Sequence, residues 1–172
     1  VRCGVEVRSV SKLDHRPGFQ VETAKGTIEA KYVVAATGPF QKAAIPPLVP
    51  KEAGLHQIHS SDYRNPDQLP SGAVLVVGAG SSGVQIAEEL AQSGKTVYLS
   101  VGPHDRPPRS YRGRDFVWWL GVLGLWDMAA PAPGTEHVTI SVSGAYGGRT
   151  MDFRRLGNEG VTLSGVTSGF AD

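Results

Sequence analysis

Apolar and polar residues alternate at the start of the chain, where Val5, Val7 and Val10 mark a strand of period two within Val1–Val10. Phe19-Gln-Val-Glu-Thr23 repeats the alternation, and Ala24-Lys25-Gly26 supplies a hairpin turn whose glycine tolerates a positive φ. Thr27–Ala36 follows and turns almost wholly apolar from Tyr32, which predicts a buried strand over Tyr32–Ala36. These segments predict a small antiparallel meander, closed where glycine and proline at Thr37-Gly38-Pro39 end the ladder.

Periodicity lapses over Gln41–Leu69, a stretch punctuated by Pro46, Pro47, Pro50 and Pro66 and followed by Pro70. It reads as a connector between two structural units, with Ile58–Tyr63 either a short strand or a polar turn and the lone His59 more economically structural than catalytic.

The pattern resumes sharply at Val74-Leu-Val-Val77, an uncharged β-branched run that leads into Gly78-Ala79-Gly80-Ser81-Ser82-Gly83. A helical repeat starts at once. Ser82 is placed to cap it, with Gln85 three residues on completing a capping box. Gly83, Ala87, Leu90 and Ala91 share one face, with Gln85, Glu88, Glu89 and Gln92 mostly on others. Gly94 ends the helix, and Thr96–Val101 reads as a second strand. Strand, glycine turn, helix and strand together make a β-α-β unit.

Farther on, Asp115–Trp126 is apolar almost all round and predicts a helix buried in the core, packed against another domain or forming an active-site wall, core packing being the better reading. Ala129–Gly134 is a break, His137–Val142 alternates as a strand and Gly147-Gly148 marks a turn. Met151–Asn158 suggests a short helix with Phe153 and Leu156 inward, and Val161–Val166 another strand. The fold class expected is α/β: a Rossmann-like nucleotide-binding domain with a parallel sheet, plus an antiparallel meander. The expected divisions are residues 1–40 (meander), 41–70 (connector) and 71–172 (Rossmann-like domain).

Composition narrows the partners. The 172 residues carry a formal charge of +1, with 40% hydrophobic and 19% charged positions, so nothing draws the chain generally to nucleic acid or an anionic membrane. No apolar run approaches the ~18 residues of a membrane span. The single cysteine, Cys3, excludes an internal disulfide and offers no CxxC for metal or redox relay, which is compatible with a cytoplasmic setting. The first residue is valine and both ends lie in patterned sequence, so a fragment is expected.

Each glycine of Gly78-x-Gly80-x-x-Gly83 has a separable task. Gly78 turns the chain off the strand, Gly80 admits a pyrophosphate to the backbone, and Gly83 lets helix and strand pack closely. Amides at the helix start then face the phosphates, giving a cradle of Gly78, Ala79, Gly80, Ser81, Ser82 and Gly83. A nicotinamide dinucleotide without a 2′-phosphate is usually met by a carboxylate about 20 residues past the first glycine. Here Ser100 stands at that place, followed by Val101-Gly-Pro-His-Asp-Arg106. A hydroxyl donor at Ser100 and charge from Arg106 or Arg109 suit a 2′-phosphate, so NADPH is expected over NADH. Arg112 and Arg114 share a basic loop with them, and solvated arginine is the plain reading for at least two of the four.

The order of an Ala36-Thr37-Gly38 strand end, a proline-rich connector with His59-Ser-Ser-Asp-Tyr63, and then Gly78-Ala-Gly-Ser-Ser-Gly-Val-Gln-Ile-Ala-Glu-Glu-Leu90 resembles the flavin-containing monooxygenases and their bacterial flavoprotein relatives. Gly113-Arg-Asp-Phe-Val-Trp-Trp-Leu120 resembles the bacterial group as well. The resemblance implies a two-dinucleotide flavoenzyme in which an NADPH domain interrupts an FAD domain. Residues 1–40 would close the first half of the FAD domain, with Ala36, Thr37 and Gly38 near the flavin or the domain crossing. In that family NADPH reduces FAD, and O2 then oxygenates a small nucleophilic substrate such as an amine or sulfide, or in related enzymes a ketone. The family's FAD-binding GxGxxG lies ahead of anything present here, so the main flavin site is expected to be missing. The family signature FxGxxxHxxxW would fall on Ala53 to Tyr63, keeping His59 and an aromatic end but neither the Phe nor the Gly.

Two other readings stay open. A pyridine nucleotide-disulfide reductase shares the two-domain logic but needs a redox cysteine pair. A non-catalytic module that only binds NADPH needs no more than the cradle. No side chain stands out as a catalytic acid, base or nucleophile, as chemistry borne by a cofactor would lead one to expect. A homo-oligomer joined through Trp118, Trp119 and Trp126 is also compatible with the sequence.

Overall fold

A computed structural model describes residues 1–38, 42–129 and 140–171. The chain divides into two compact units, Val1–Ala43 and Ala44–Asp172, so the proline-rich stretch lies with the second unit.

In the first unit β1 (Val7–Lys12), β2 (Phe19–Thr23) and β3 (Gly26–Ala30) form an antiparallel sheet in sequential order. Thr23 pairs with Gly26 across a two-residue turn, and Gly26 takes the left-handed φ of +117° that the turn demands. The predicted strand at Tyr32–Ala36 does not form. The last rung of the β2–β3 ladder is Phe19 with Ala30, and before Phe19 the chain has turned back at Gly18, whose carbonyl accepts from the Leu13 amide at 3.1 Å. Beyond Ala30 the sheet offers no backbone to pair with, and Val34 is 85% exposed. Pro39 lies outside the described residues.

The second unit is built on a parallel sheet of β4 (Val74–Val77), β5 (Val97–Ser100) and, after two 2-residue strands β6 (Ser110–Tyr111) and β7 (Arg114–Asp115), β8 (Val161–Ser164). The order β4-β5-β8 runs in register from Val74↔Val97↔Val161 to Val77↔Ser100↔Ser164. Three parallel strands in sequential order, the first two joined through a helix, match the arrangement of half a doubly wound sheet. Helix α1 (Ser81–Gln92) crosses over it between β4 and β5, and the turn ends at Gly94, whose φ of +84° lets the Lys95 amide reach the Leu90 carbonyl at 3.1 Å. Ala79, Val84, Ala87, Leu90, Val97, Leu99, Met151, Leu156 and Val161 form one dry core, with Tyr63 and Leu69 of the connector packed against it.

Three expectations about helices change. Helix α1 begins two residues earlier than the capping box predicts, with Gly80 in extended geometry as its N-cap; a glycine supplies no side-chain cap, and Gln85, the other half of the predicted box, bonds to Ser143 instead. Glu88, placed on a polar face by periodicity, is only 4% exposed. Its carboxylate accepts from Arg155 at 2.7 Å and pairs with Arg149. The apolar run after Asp115 gives only a short helix, α2 (Phe116–Val122), with no buried residue; Trp126 is 60% exposed. It packs chiefly against β7 and the turn at Leu125–Asp127, and none of its residues joins the core, so the expected core packing fails.

Helix α3 (Phe153–Asn158) carries Leu156 inward as expected, and Asp152 caps it by accepting from the Arg154 amide at 2.9 Å. The predicted break at Ala129–Gly134 is described only at Ala129. Of the predicted strand His137–Val142, residues 137–139 lie outside the described residues, and Ile140 makes only a single parallel bridge to Asp105. Among the described residues no helix is long and apolar enough to cross a membrane.

Candidate functional site

The glycine turn sits where β4 leaves the sheet. Gly78 takes φ +100° while its amide still donates to the Ser100 carbonyl at 3.1 Å, so the turn is anchored to the neighbouring strand. Only glycine takes that conformation without strain. Ala79 is buried beneath it, and Gly80 opens α1. A Cβ at Gly83 would overlap the Gly78 carbonyl oxygen and stand 3.1 Å from its carbon, so the helix lies directly on the turn. At Gly80 the same construction meets only the ring of His104, at 3.8 Å. The amides of the first helical turn have no acceptor within the helix.

Ser81 and Ser82 diverge. The Ser81 hydroxyl accepts from the Val142 amide at 3.3 Å, whereas Ser82 is exposed and lines a cavity of about 420 Å³ with Ser60, Tyr63, Arg64, Gln85 and Tyr146. The Tyr63 hydroxyl donates to Glu89 at 2.9 Å; burial, and then that carboxylate, push the phenol well above its ordinary range. His59 is part of a turn, its Nδ1 2.8 Å from the Ser61 hydroxyl and accepting from the Ser61 amide.

Ser100 stands at the end of β5, but its hydroxyl is turned into the protein. It donates to the Gly165 carbonyl at 2.9 Å and accepts from the amide and hydroxyl of Thr167 at 3.0 and 2.9 Å. A buried hydroxyl so engaged holds the strand ends together and has no donor left for a phosphate.

The arginines separate by their partners. Arg109 is tied to Asp115 at 2.9 Å and to the Ser143 carbonyl at 3.3 Å. The Asp115 carboxyl is held below its usual range by the Val117 amide that it caps and by Arg109. Arg112 and Arg114 lie over Tyr111 and Trp118. Arg106 is exposed, with its guanidinium 4.3 Å from the Phe153 ring centre, at the edge of a largely apolar cavity of about 610 Å³. Arg106, six residues past Ser100 on the loop that leaves β5, rests on the π-face of Phe153.

The fold therefore brings Gly78, Ala79, Gly80, Ser81, Ser82, Gly83, Ser100 and Arg106 to the carboxyl end of the parallel sheet. Ala36, Thr37 and Gly38 belong to the other unit, exposed and outside any strand, with Gly38 at φ +74°. His104, Glu88 and the serines of 141–143 were not singled out by sequence reasoning. Nothing in local periodicity signals them, since each acquires its role from residues far along the chain. Among the described residues no His, Cys, Asp and Glu cluster is suited to a metal ion.

The family profile described as pyridine nucleotide-disulphide oxidoreductase matches residues 1–114. The chain is 46% identical over 127 residues to an "Uncharacterized oxidoreductase CzcO-like" of Geobacillus kaustophilus, covering 73% of this chain and 36% of that protein. It is 40% identical over 76 residues to the flavin-containing monooxygenase iboF of Amanita muscaria, covering 41% of this chain and 14% of that one. A mutant flavin monooxygenase from Stenotrophomonas maltophilia shares the fold, with a TM-score of 0.52 at 19% identity over 99% of this chain and 52% of its own. The chain thus spans at most about a third of the length of these curated relatives.

Proposed function

The chain belongs to the pyridine nucleotide-disulphide oxidoreductase family, and from that premise we propose that residues 71–172 are the NADPH-binding domain of an FAD- and NADPH-dependent monooxygenase. Residues 1–40 belong in this reading to the FAD domain and 41–70 join the two. The observation that carries it is the Gly78–Gly83 turn: a positive-φ glycine bonded to the next strand and a helix seated on its carbonyl, in a family whose relatives include flavin-containing monooxygenases.

The residues fit a dinucleotide. Backbone amides at Ser81, Ser82 and Gly83 would hold the pyrophosphate, with Gly80 leaving room for it. Arg106 would read the 2′-phosphate, steadied by Phe153, while Ser100 fixes the strand end from which that loop departs. NADPH, when bound, supplies hydride for reduction of FAD, and O2 and a small nucleophilic or carbonyl substrate complete the proposed reaction. This chain's own residues bind and orient the reductant. Ala36, Thr37 and Gly38 are proposed to lie near the flavin, but no described residue of that unit forms a cradle, and no step through the flavin is assigned to them. Disulfide chemistry has no support within these 172 residues, whose single cysteine is Cys3.

Titration of the chain with NADPH and NADH at low and high salt tests the reading. NADPH binds more tightly, and the difference shrinks in salt or in Arg106→Ala. Equal affinities would remove the 2′-phosphate assignment, and absence of saturable binding would remove the site.

A further inference from the structure

We propose that Ser141 is a positioning residue for the dinucleotide, holding the Gly78–Gly83 cradle and the loop after β5 at a fixed spacing so that one ligand can span both. The inference rests on the NADPH reading above. Ser141 is fully buried although polar, and it lies outside every helix and strand. Its hydroxyl donates to the Ala79 carbonyl at 3.4 Å, inside the cradle. Its amide donates to the Asp105 carbonyl at 2.8 Å, in the loop that carries Arg106. The residues that follow continue the clasp: the Val142 amide donates to the Ser81 hydroxyl at 3.3 Å, and Ser143 accepts from Gln85 at 3.4 Å.

The last ladder rung between the two strands is Val77 with Ser100, and beyond it both loops leave the sheet. Ser141 spans them with one residue. A hydroxyl buried this completely is disfavoured unless its hydrogen bonds are made, so packing alone does not explain a serine there. A dinucleotide with a pyrophosphate and a 2′-phosphate is a two-point ligand. Its advantage over its separate halves depends on how firmly the two subsites are spaced, because a preset spacing raises the effective concentration of the second contact.

The test uses the full chain as wild type, Ser141→Ala and the nearly isosteric Ser141→Cys, which keeps a weak donor. Dissociation constants are measured for NADPH and for its halves, 2′-AMP and inorganic pyrophosphate, together with thermal unfolding. Ser141→Ala is expected to bind NADPH roughly three- to tenfold more weakly, the worth of about one hydrogen bond. The halves are expected to bind within about twofold of wild type, with Ser141→Cys intermediate for NADPH. Unchanged NADPH affinity in Ser141→Ala, or equal weakening of all three ligands with a falling Tm in both variants, would overturn the positioning role while leaving the NADPH reading intact. A wild-type chain that binds no NADPH overturns both.

Discussion

The antiparallel unit, Val1–Ala43, and the parallel unit, Ala44–Asp172, show equally clear apolar patterning and reach opposite results. In β5 of the parallel unit, Val97 and Leu99 are completely buried in the core that α1 covers, while Tyr98 on the opposite face is exposed. In β1 of the meander every residue is exposed, Val7 and Val10 included. The meander has its ladder hydrogen bonds, but no second layer lies on either face among its described residues. A periodicity of two tells which side chains share a face, and a covering layer decides whether that face is dry.

Core truncation is expected to separate the two units most strongly. Leu99→Ala is expected to destabilise the parallel unit by about 2–5 kcal/mol in urea unfolding, while Val10→Ala stays within about 0.5 kcal/mol. Comparable losses would mean that the β1 face is buried in solution.

Glycine substitution comes next. Gly83→Ala drives a Cβ into the Gly78 carbonyl and is expected to cost about 3 kcal/mol and abolish nucleotide binding. Gly26→Ala meets open space and only a backbone penalty at φ +117°, about 1 kcal/mol. Equal effects on stability and binding would show that helix and strand are not in close contact at the turn.

The ion pairs of the two units also differ in burial. Glu88→Ala leaves Arg149 and Arg155 facing a buried gap and is expected to cost about 2 kcal/mol, less than a wholly buried pair because both arginines keep some access to water. Glu29→Ala removes an exposed partner of Arg16 in the meander and is expected to change stability by less than about 0.5 kcal/mol.

The smallest effect is a titration. Burial and Glu89 favour the neutral Tyr63 phenol, so the unfolded chain loses that proton first as pH rises. The contribution is complete below the ordinary tyrosine value of about 10 and is lost as pH climbs through the raised folded value. Ultraviolet titration of the native chain should show one of its five tyrosines ionising late. In Tyr63→Phe the late phase should vanish, and its persistence would assign it to another phenol.

What the sequence made legible were features whose cause is local. The Val74–Val77 run, the glycine spacing, the Gly94 stop and the inward Leu156 depend on residues within a few positions of one another. What it hid depends on distant partners. Glu88 looked solvated because Arg149 and Arg155 approach it from about 60 residues on. Ser82 looked like a cap because nothing near it announces that Ser81 and Gln85 are held by residues 142 and 143. Ser100 fell at the expected place, yet the direction of its hydroxyl was set by Thr167 and Gly165. Tyr32–Ala36 has strand composition without a ladder neighbour, and Phe116–Val122 has core composition without a surface upon it.

On the proposed reading the parallel unit holds a dinucleotide cradle at Gly78–Gly83, whereas the described residues of the meander hold none. Calorimetric titration of the chain with NADPH, repeated on Gly83→Ala, tests this most directly. One saturable, salt-sensitive site per chain that disappears in Gly83→Ala is the expected result; no saturable binding, or binding that survives the substitution, would contradict it.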